Sequence, residues 1–242
     1  MTAPAPSTVL DDPVRASLLG AHARLAERRG RVLRYPPDVS AFLSMPPAPG
    51  PADWADVAAL VGPGGHVALT GPMPAAPVGW EEVMDVPGVQ LTGEHVAGAD
   101  DADVVRLGPE DVPEMLDLVE RTKPGPFLPR TIELGVYLGL RFGGVLVAMA
   151  GERLHPPGWT EISAVCTAPD HRGRGLATRL VLAVAAGIRN RGETPFLHAA
   201  AANTGAIRLY ERLGFRLRRT PDFRAVRVPA LDPSLGTPVP IT

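Results

Sequence analysis

The sequence predicts an α/β (α+β) chain, and three observations carry that reading. Between residues 136 and 167, three apolar and partly β-branched runs follow one another, the first two joined by Gly143-Gly144, a pair suited to a hairpin turn. From Ile162 onward, a strand pattern, a glycine-rich loop, a helical pattern and another strand pattern succeed one another as far as residue 200. Ahead of both, residues 10–98 alternate helical and strand-like stretches, which predicts an additional N-terminal α/β domain.

Composition bounds the answer further. At 242 residues the chain is one large domain or two small ones, and an apolar fraction of 45% is ample for a core. No apolar run is long enough to span a membrane. The opening Met1 to Ser7 lacks the basic and apolar regions of a signal peptide. A single cysteine forms no internal disulfide, so a reducing cytoplasm is the simplest location. The net charge of −2 gives no reason to expect nucleic acid. Lys123 is the only lysine, and with abundant Ala, Pro and Gly this suggests a GC-rich bacterial genome.

The elements are expected in the following order. Residues 1–9 form a disordered tail. A helix starts at Asp11-Asp12-Pro13, where Asp caps and Pro suits the first turn, carries Val14, Leu18, Ala21 and Leu25 on one face, and ends at Gly30. Residues 31–35 suggest a short strand, residues 39–43 are ambiguous, and residues 46–51 are a proline-rich loop. A second helix covers residues 52–61 around Trp54, Val57 and Leu60, and His66–Thr70 is a strand. Residues 80–84 and 89–96 are two further strands. His22, His66 and His95 show no ligand spacing, so no metal is expected. A packing or substrate-covering role for residues 10–98 is preferred over a worn second copy of the domain that follows, because no internal repeat supports the latter.

Residues 99–102 are the expected linker, and the second domain covers residues 103–228. It begins with a strand at 104–107 and a helix at 109–121 with Val112, Met115, Leu116 and Val119 on one face. Prolines keep the loop at 123–130 stiff and open, and a short helix follows at 131–134. Strands are expected at 136–142, 145–153 and 160–167, then a helix with Leu176, Leu180, Val184 and Ile188 at helical spacing, stopped by Gly192. A strand at 196–200, a helix at 204–213 closed by Gly214, strands at 215–218 and 224–228, and an irregular tail from 229 complete the chain.

The richest stretch runs from Val165 to Thr178. It holds Pro169-Asp170 and then Arg172-Gly-Arg-Gly-Leu-Ala177 at the head of a helix. Glycine lets the backbone turn tightly and lets a ligand approach. The first helical N–H groups lack internal partners and sit at the positive end of the dipole, so a phosphate fits there, with two arginines as charge-assisted donors. Two dinucleotide and nucleotide motifs fit poorly: Thr178 stands where a Rossmann fingerprint needs Gly, and no Gly-Lys-Ser/Thr follows. A plain strand-to-helix connection with surface arginines is the remaining local reading.

This stretch resembles the acetyl-CoA pyrophosphate loop of the GNAT superfamily of N-acetyltransferases, whose pattern Gln/Arg-x-x-Gly-x-Gly/Ala is matched by Arg172, Gly175 and Ala177. Asn203, Ala206, Tyr210 and Gly214-Phe215 are similar to the family's second cofactor segment. The resemblance covers roughly residues 103–228. It implies a mixed, mostly antiparallel sheet with helices on both faces. It also implies acetyl-CoA as cosubstrate, an amine of a small molecule, peptide or protein as acceptor, and direct transfer. The backbone of Val165, Cys166 and Thr167 would meet the pantetheine arm between splayed strands. Arg172, Gly173, Arg174, Gly175, Leu176, Ala177 and Thr178 would hold the pyrophosphate, with Asn203 and Ala206 completing the groove. Asn203 is equally an ordinary helix cap.

Acetyl transfer needs an anchored cosubstrate, a route for the amine proton and a proton for the leaving thiolate. The resemblance puts Glu161 forward as base, with partial burial raising its pKa and with its side chain on the face of Ser163 and Val165. Glu152 and His198 are the rival bases, and a water chain is the other route. Tyr210 is the expected acid, although Ala206, Leu209, Tyr210 and Leu213 also form an apolar stripe. Cys166 is rejected as a nucleophile: it should face away from Glu161 and has no evident base. The other function class is a non-catalytic acyl-CoA-binding sensor or interaction module, and a third is a nucleotide-binding protein using the same loop. No nucleic acid or membrane partner is expected, and a homodimer is compatible with the sequence.

Overall fold

The computed structural model describes residues 7–70 and 75–230. The tail expected at residues 1–9 falls mostly outside that range, and the part inside it enters a 3-10 turn at Ser7–Asp11. The tail expected from residue 229 lies almost wholly outside it.

The first helix, α1 (Pro13–Leu19), is capped as expected, with the Asp12 carboxylate accepting from the Arg15 N–H. It stops at Gly20 and not at Gly30. The reason is His22, which turns inward. Its backbone N–H donates to Ser17, and its ring bonds the Tyr35 hydroxyl at 2.8 Å and the Leu134 carbonyl at 3.0 Å. After a 3-10 turn at Ala23–Leu25 the chain forms the hairpin β1 (Glu27–Arg29) and β2 (Val32–Arg34), then β3 (Phe42–Ser44). Helix α2 (Pro51–Val61) and strand β4 (His66–Thr70) follow.

The two strands expected at residues 80–84 and 89–96 are one, β5 (Glu81–Thr92). Pro87 does not break it because partners change there: Glu81 to Pro87 pair with the last strand of the chain, while Gly88 to Thr92 pair elsewhere. The missing Pro87 N–H is not needed, and its carbonyl accepts from Ala201.

The second half supplies β6 (Val105–Leu107), α3 (Val112–Thr122), β7 (Tyr137–Phe142), β8 (Val145–Glu152) and β9 (Trp159–Thr167). Then come α4 (Leu176–Asn190), β10 (Thr194–Ala200), α5 (Thr204–Arg212), β11 (Arg216–Arg219) and β12 (Asp222–Arg227).

Among the described residues these strands form one sheet in the order β1-β2-β3-β4-β12-β5-β10-β9-β8-β7-β6, with β11 also on β5. Only the β3–β4 and β9–β10 pairs are parallel, so the sheet is mixed and mostly antiparallel. The pairing does not divide at residues 99–102. Strand β5 lies inside the second half's sheet against β10, and β12 lies inside the first half's sheet against β4.

Helices cover both faces. Leu180, Val184 and Ile188 of α4 pack with Tyr210 and Phe215 onto Ile162, Leu197 and Leu91. The opposite face carries Met115 and Leu118 of α3 over Val147 and Met149, and Val14 and Leu18 of α1 near Trp159 and Phe196. Each such side chain contributes about 1.5–3 kcal/mol when fully buried. Leu197 and Phe196, adjacent on β10, thus face opposite layers, and this alternation decides which β10 residues reach the site described next.

Candidate active site

Strands β9 and β10 pair in parallel only from Trp159/Thr194 to Ile162/Leu197. Beyond that point they diverge, and a cavity of about 770 Å³ occupies the gap. A second irregularity lies at its edge. The β8–β9 register slips by one residue between the Gly151–Ser163 and Met149–Cys166 pairs. The extra residue is Ala164, which has φ 54°, a left-handed conformation that alanine adopts only at a cost.

This bulge overturns an expected alternation. Val165 packs with Ile162 on the α4 side, opposite to Glu161, while Cys166 packs with Met115 and Leu118 on the α3 side. Strict alternation puts Val165 beside Glu161 and turns Cys166 away, and one bulged residue reverses both. Cys166 is nonetheless buried, and burial pushes its thiol up from the ordinary range.

The predicted cosubstrate residues converge on the diverging strands. Val165, Cys166 and Thr167 line one wall of the cavity. Arg172, Gly173, Gly175, Leu176, Ala177 and Thr178 line the end where α4 begins. Asn203, Ala206 and Tyr210 line the wall formed by α5. Arg174 is the exception, since its guanidinium lies over the Phe142 ring outside the cavity. Gly173 and Gly175 both have φ 75°, and a Cβ built on either would meet nothing within 4 Å. The open space over these residues and the unpaired N–H groups of the first helical turn make a cradle for an anion. Asn203 also caps α5, its side chain accepting from the Ala206 N–H at 3.2 Å.

Tyr210 is 7% exposed, with its ring against Phe215 at 6.0 Å. It is both core and cavity wall. Burial pushes its hydroxyl up to about 12, so it keeps its proton at neutral pH.

Glu161 sits at the vertex of the splay, 0% exposed. Arg153 grips its carboxylate with Nε at 2.8 Å and Nη2 at 2.6 Å, and His198 Nδ1 stands 2.7 Å from Oε1. The expected rise in its pKa is reversed. Burial does push the group up, but the Arg153 charge and hydrogen bonds and His198 outweigh it and bring it to about 2. Glu161 does not line the cavity, whereas Arg153 and His198 do.

The tautomer of His198 follows from its neighbours. Gln90 Oε1 accepts from Arg218 at 2.7 Å, which leaves the Gln90 amide nitrogen to donate to the Leu10 carbonyl at 2.8 Å and to His198 Nε2 at 2.9 Å. Nε2 therefore accepts, and the ring proton is on Nδ1 facing Glu161. The other rival, Glu152, is buried away from the cavity, held by Arg191 at 2.8 Å and by the Val136 N–H. Among the described residues no group of His, Cys, Asp and Glu could hold a metal ion. No described helix is long and apolar enough to cross a membrane.

Gln90 and Arg153 escape sequence reasoning. Gln90 is a single polar residue in the apolar run Val89 to Leu91, and Arg153 ends a strand pattern where a charge is unremarkable. Alternation gives no signal for Gln90, since it sets the residue on the face opposite Val89 and Leu91, and its burial follows from the strand being covered on both faces.

Residues 137–224 match the family described as FR47-like protein. A solved GNAT-family structure from Novosphingobium aromaticivorans is 42% identical, with 90% of this chain and 97% of that one covered and a TM-score of 0.82. The chain belongs to the GNAT family of acetyltransferases. A GCN5-related N-acetyltransferase from Kribbella flavida has the same fold at 20% identity, with 90% of this chain and 96% of that one covered and a TM-score of 0.59. Mycothiol acetyltransferase from Thermobispora bispora is 46% identical over 56 residues, which is 23% of this chain and 19% of that protein. The chain thus spans about a fifth of the length of that curated relative. GNAT membership accounts for the splayed β9–β10 pair and for the glycine loop at the head of α4 in a single frame.

Proposed function

We propose that this chain transfers an acetyl group from acetyl-CoA directly to an amine of a small molecule or peptide. The observation that supports it most is the convergence of the splay after Ile162, the open glycine cradle at Gly173 and Gly175 and the Tyr210 ring on one cavity. Acetyl-CoA, when bound, supplies the activated thioester. The amides of the cradle and the Arg172 side chain hold its pyrophosphate, and the backbone around the Ala164 bulge holds the pantetheine arm. Tyr210, protonated at neutral pH, holds a proton for the leaving sulfur.

Neither oxygen of Glu161 faces the cavity, and both ring nitrogens of His198 have partners. In this reading Glu161 positions His198 and Arg153, and the proton of the attacking amine leaves through solvent. The chain does what the fold makes easy: it aligns amine and thioester and keeps the surrounding charges fixed.

The test is calorimetric titration of acetyl-CoA, followed by thiol release with a broad panel of primary amines. Micromolar binding with amine-dependent CoA release is expected. No binding of acetyl-CoA, CoA or longer acyl-CoAs sinks the proposal, and binding without turnover on any amine moves the chain to the sensor class.

A further inference from the structure

A second cavity, of about 280 Å³, adjoins the first, and both are lined by Pro124, Gly125, Arg153, His198, Ala199 and Ala200. Arg153 and His198 stand at the vertex of the splay, while the glycine cradle lies at the other end of the first cavity. A CoA with its pyrophosphate in the cradle directs its thioester toward that vertex, where the second cavity begins. The walls beyond are apolar, formed by Phe42, Leu69, Val86, Leu128 and Phe223 from both halves of the chain.

The polar side chains on this wall are engaged with the protein. The Thr131 hydroxyl donates to the Val39 carbonyl at 2.7 Å and accepts from the Leu128 N–H at 2.8 Å. The Ser40 hydroxyl accepts from the Phe42 N–H at 3.3 Å. Arg153 is held by Glu161, and both ring nitrogens of His198 have partners. Arg224 bonds Glu82 and faces Asp85 and Asp222, and its Nε is enclosed, out of a ligand's reach. No Asp or Glu lines the cavity among the described residues. An amine, which is a cation in neutral water, would therefore lose its hydration there with no carboxylate in return. A hydrocarbon chain loses nothing and gains the burial of its methylenes.

We infer that the second cavity is an acyl-chain pocket, so that the chain also takes medium-chain acyl-CoA as donor, with the acetyl group filling only its mouth. The inference rests on the CoA-dependent reading above and adds the acyl class. An apolar cavity of about 150 Å³ takes benzene, so about 280 Å³ suits roughly six to ten carbons. The chemistry at the thioester is unchanged: the amine nitrogen bonds the carbonyl carbon as the C–S bond breaks, the amine proton leaves to solvent, and the sulfur takes the Tyr210 proton.

The experiment titrates acetyl-, butyryl-, hexanoyl- and octanoyl-CoA calorimetrically into the full chain. It is repeated with Val86→Trp and Leu128→Trp, which enlarge two partly buried wall residues outside the first cavity, one on β5 and one on the loop before Thr131. Each buried methylene strengthens binding roughly fourfold, so octanoyl-CoA should bind at least about thirtyfold more tightly than acetyl-CoA. Either variant should erase at least about tenfold of that gain and leave acetyl-CoA affinity within about twofold, which also shows that it is folded. Octanoyl-CoA within about threefold of acetyl-CoA overturns the inference, as does a gain that both variants keep. Phenethylamine binding to the CoA-loaded wild type, lost in the same variants, would make the cavity an amine site and also overturn it. Failure of the wild type to bind any CoA form overturns the acetyltransfer reading itself, whereas binding that does not change with chain length overturns the acyl pocket alone.

Discussion

Arg153 closes a two-pronged ion pair on Glu161, Nε to Oε2 at 2.8 Å and Nη2 to Oε1 at 2.6 Å, around a carboxylate that is wholly enclosed. Removing one partner of such a pair strands the other charge, which typically costs about 3–5 kcal/mol. Glu161→Gln should therefore lower the urea-unfolding free energy by roughly that amount. A general base lost from the reaction would instead cut turnover about 10²–10⁴-fold with little change in stability. A folded, stable but inactive Glu161→Gln protein would restore Glu161 as the base.

The same pair has a pH signature. Glu161 falls from its ordinary 4.5 to about 2, so its contribution is complete above 4.5 and is lost as pH falls toward 2. Stability measured from about pH 5 down to about pH 3 should fall less steeply in Glu161→Gln than in the wild type. Parallel slopes would mean that the carboxylate is not ionised in the folded chain.

His22 adds a second, separable slope. Burial first, then His155, lowers its pKa from 6.5 to about 4. The unfolded chain binds the extra proton between those values, so stability declines as pH falls from about 6.5 to about 4. His22→Gln, which can still bond Tyr35 and the Leu134 carbonyl, should flatten that part of the curve. An unchanged slope would assign it to another group.

Tyr210→Phe should reduce turnover by roughly 100-fold, the lower range for a lost general acid, and leave acetyl-CoA affinity within about twofold. The wild type should show no alkaline loss from this group below about pH 10, because burial holds the hydroxyl at about 12. Turnover equal to wild type would leave Tyr210 with its packing role alone.

Gly175 has φ 75°, and a Cβ at this position would have nothing within 4 Å. Gly175→Glu should fold, since there is room, but it places a carboxylate over the anion cradle and forces an unfavourable φ worth about 1–2 kcal/mol. Acetyl-CoA affinity should drop by at least about tenfold in calorimetry. Retained affinity would place the pyrophosphate elsewhere.

How far the sequence reaches can be judged from particular residues. The Gly173–Gly175 loop, the α4 face of Leu180, Val184 and Ile188, and the Asn203 cap are legible because each depends on neighbours within a few turns. Strand β5 is not, since the continuity across Pro87 depends on β12 and β10, each more than a hundred residues away. Nor is the face of Val165, because a single bulge at Ala164 shifts every later side chain by one.

The sequence by itself determined the fold class, the glycine loop at the head of α4 and most of the residues that line the cavity beside it, because backbone geometry and helix polarity are local properties. Tertiary structure alone decided what surrounds Glu161. A carboxylate read from sequence is a base or a buried ion according to whether a cation reaches it, and here Arg153 and His198, together with Gln90 from the other half of the chain, enclose it. Charge compensation in a buried site depends on distances of a few ångströms between strands, and those distances exist only once the sheet has closed.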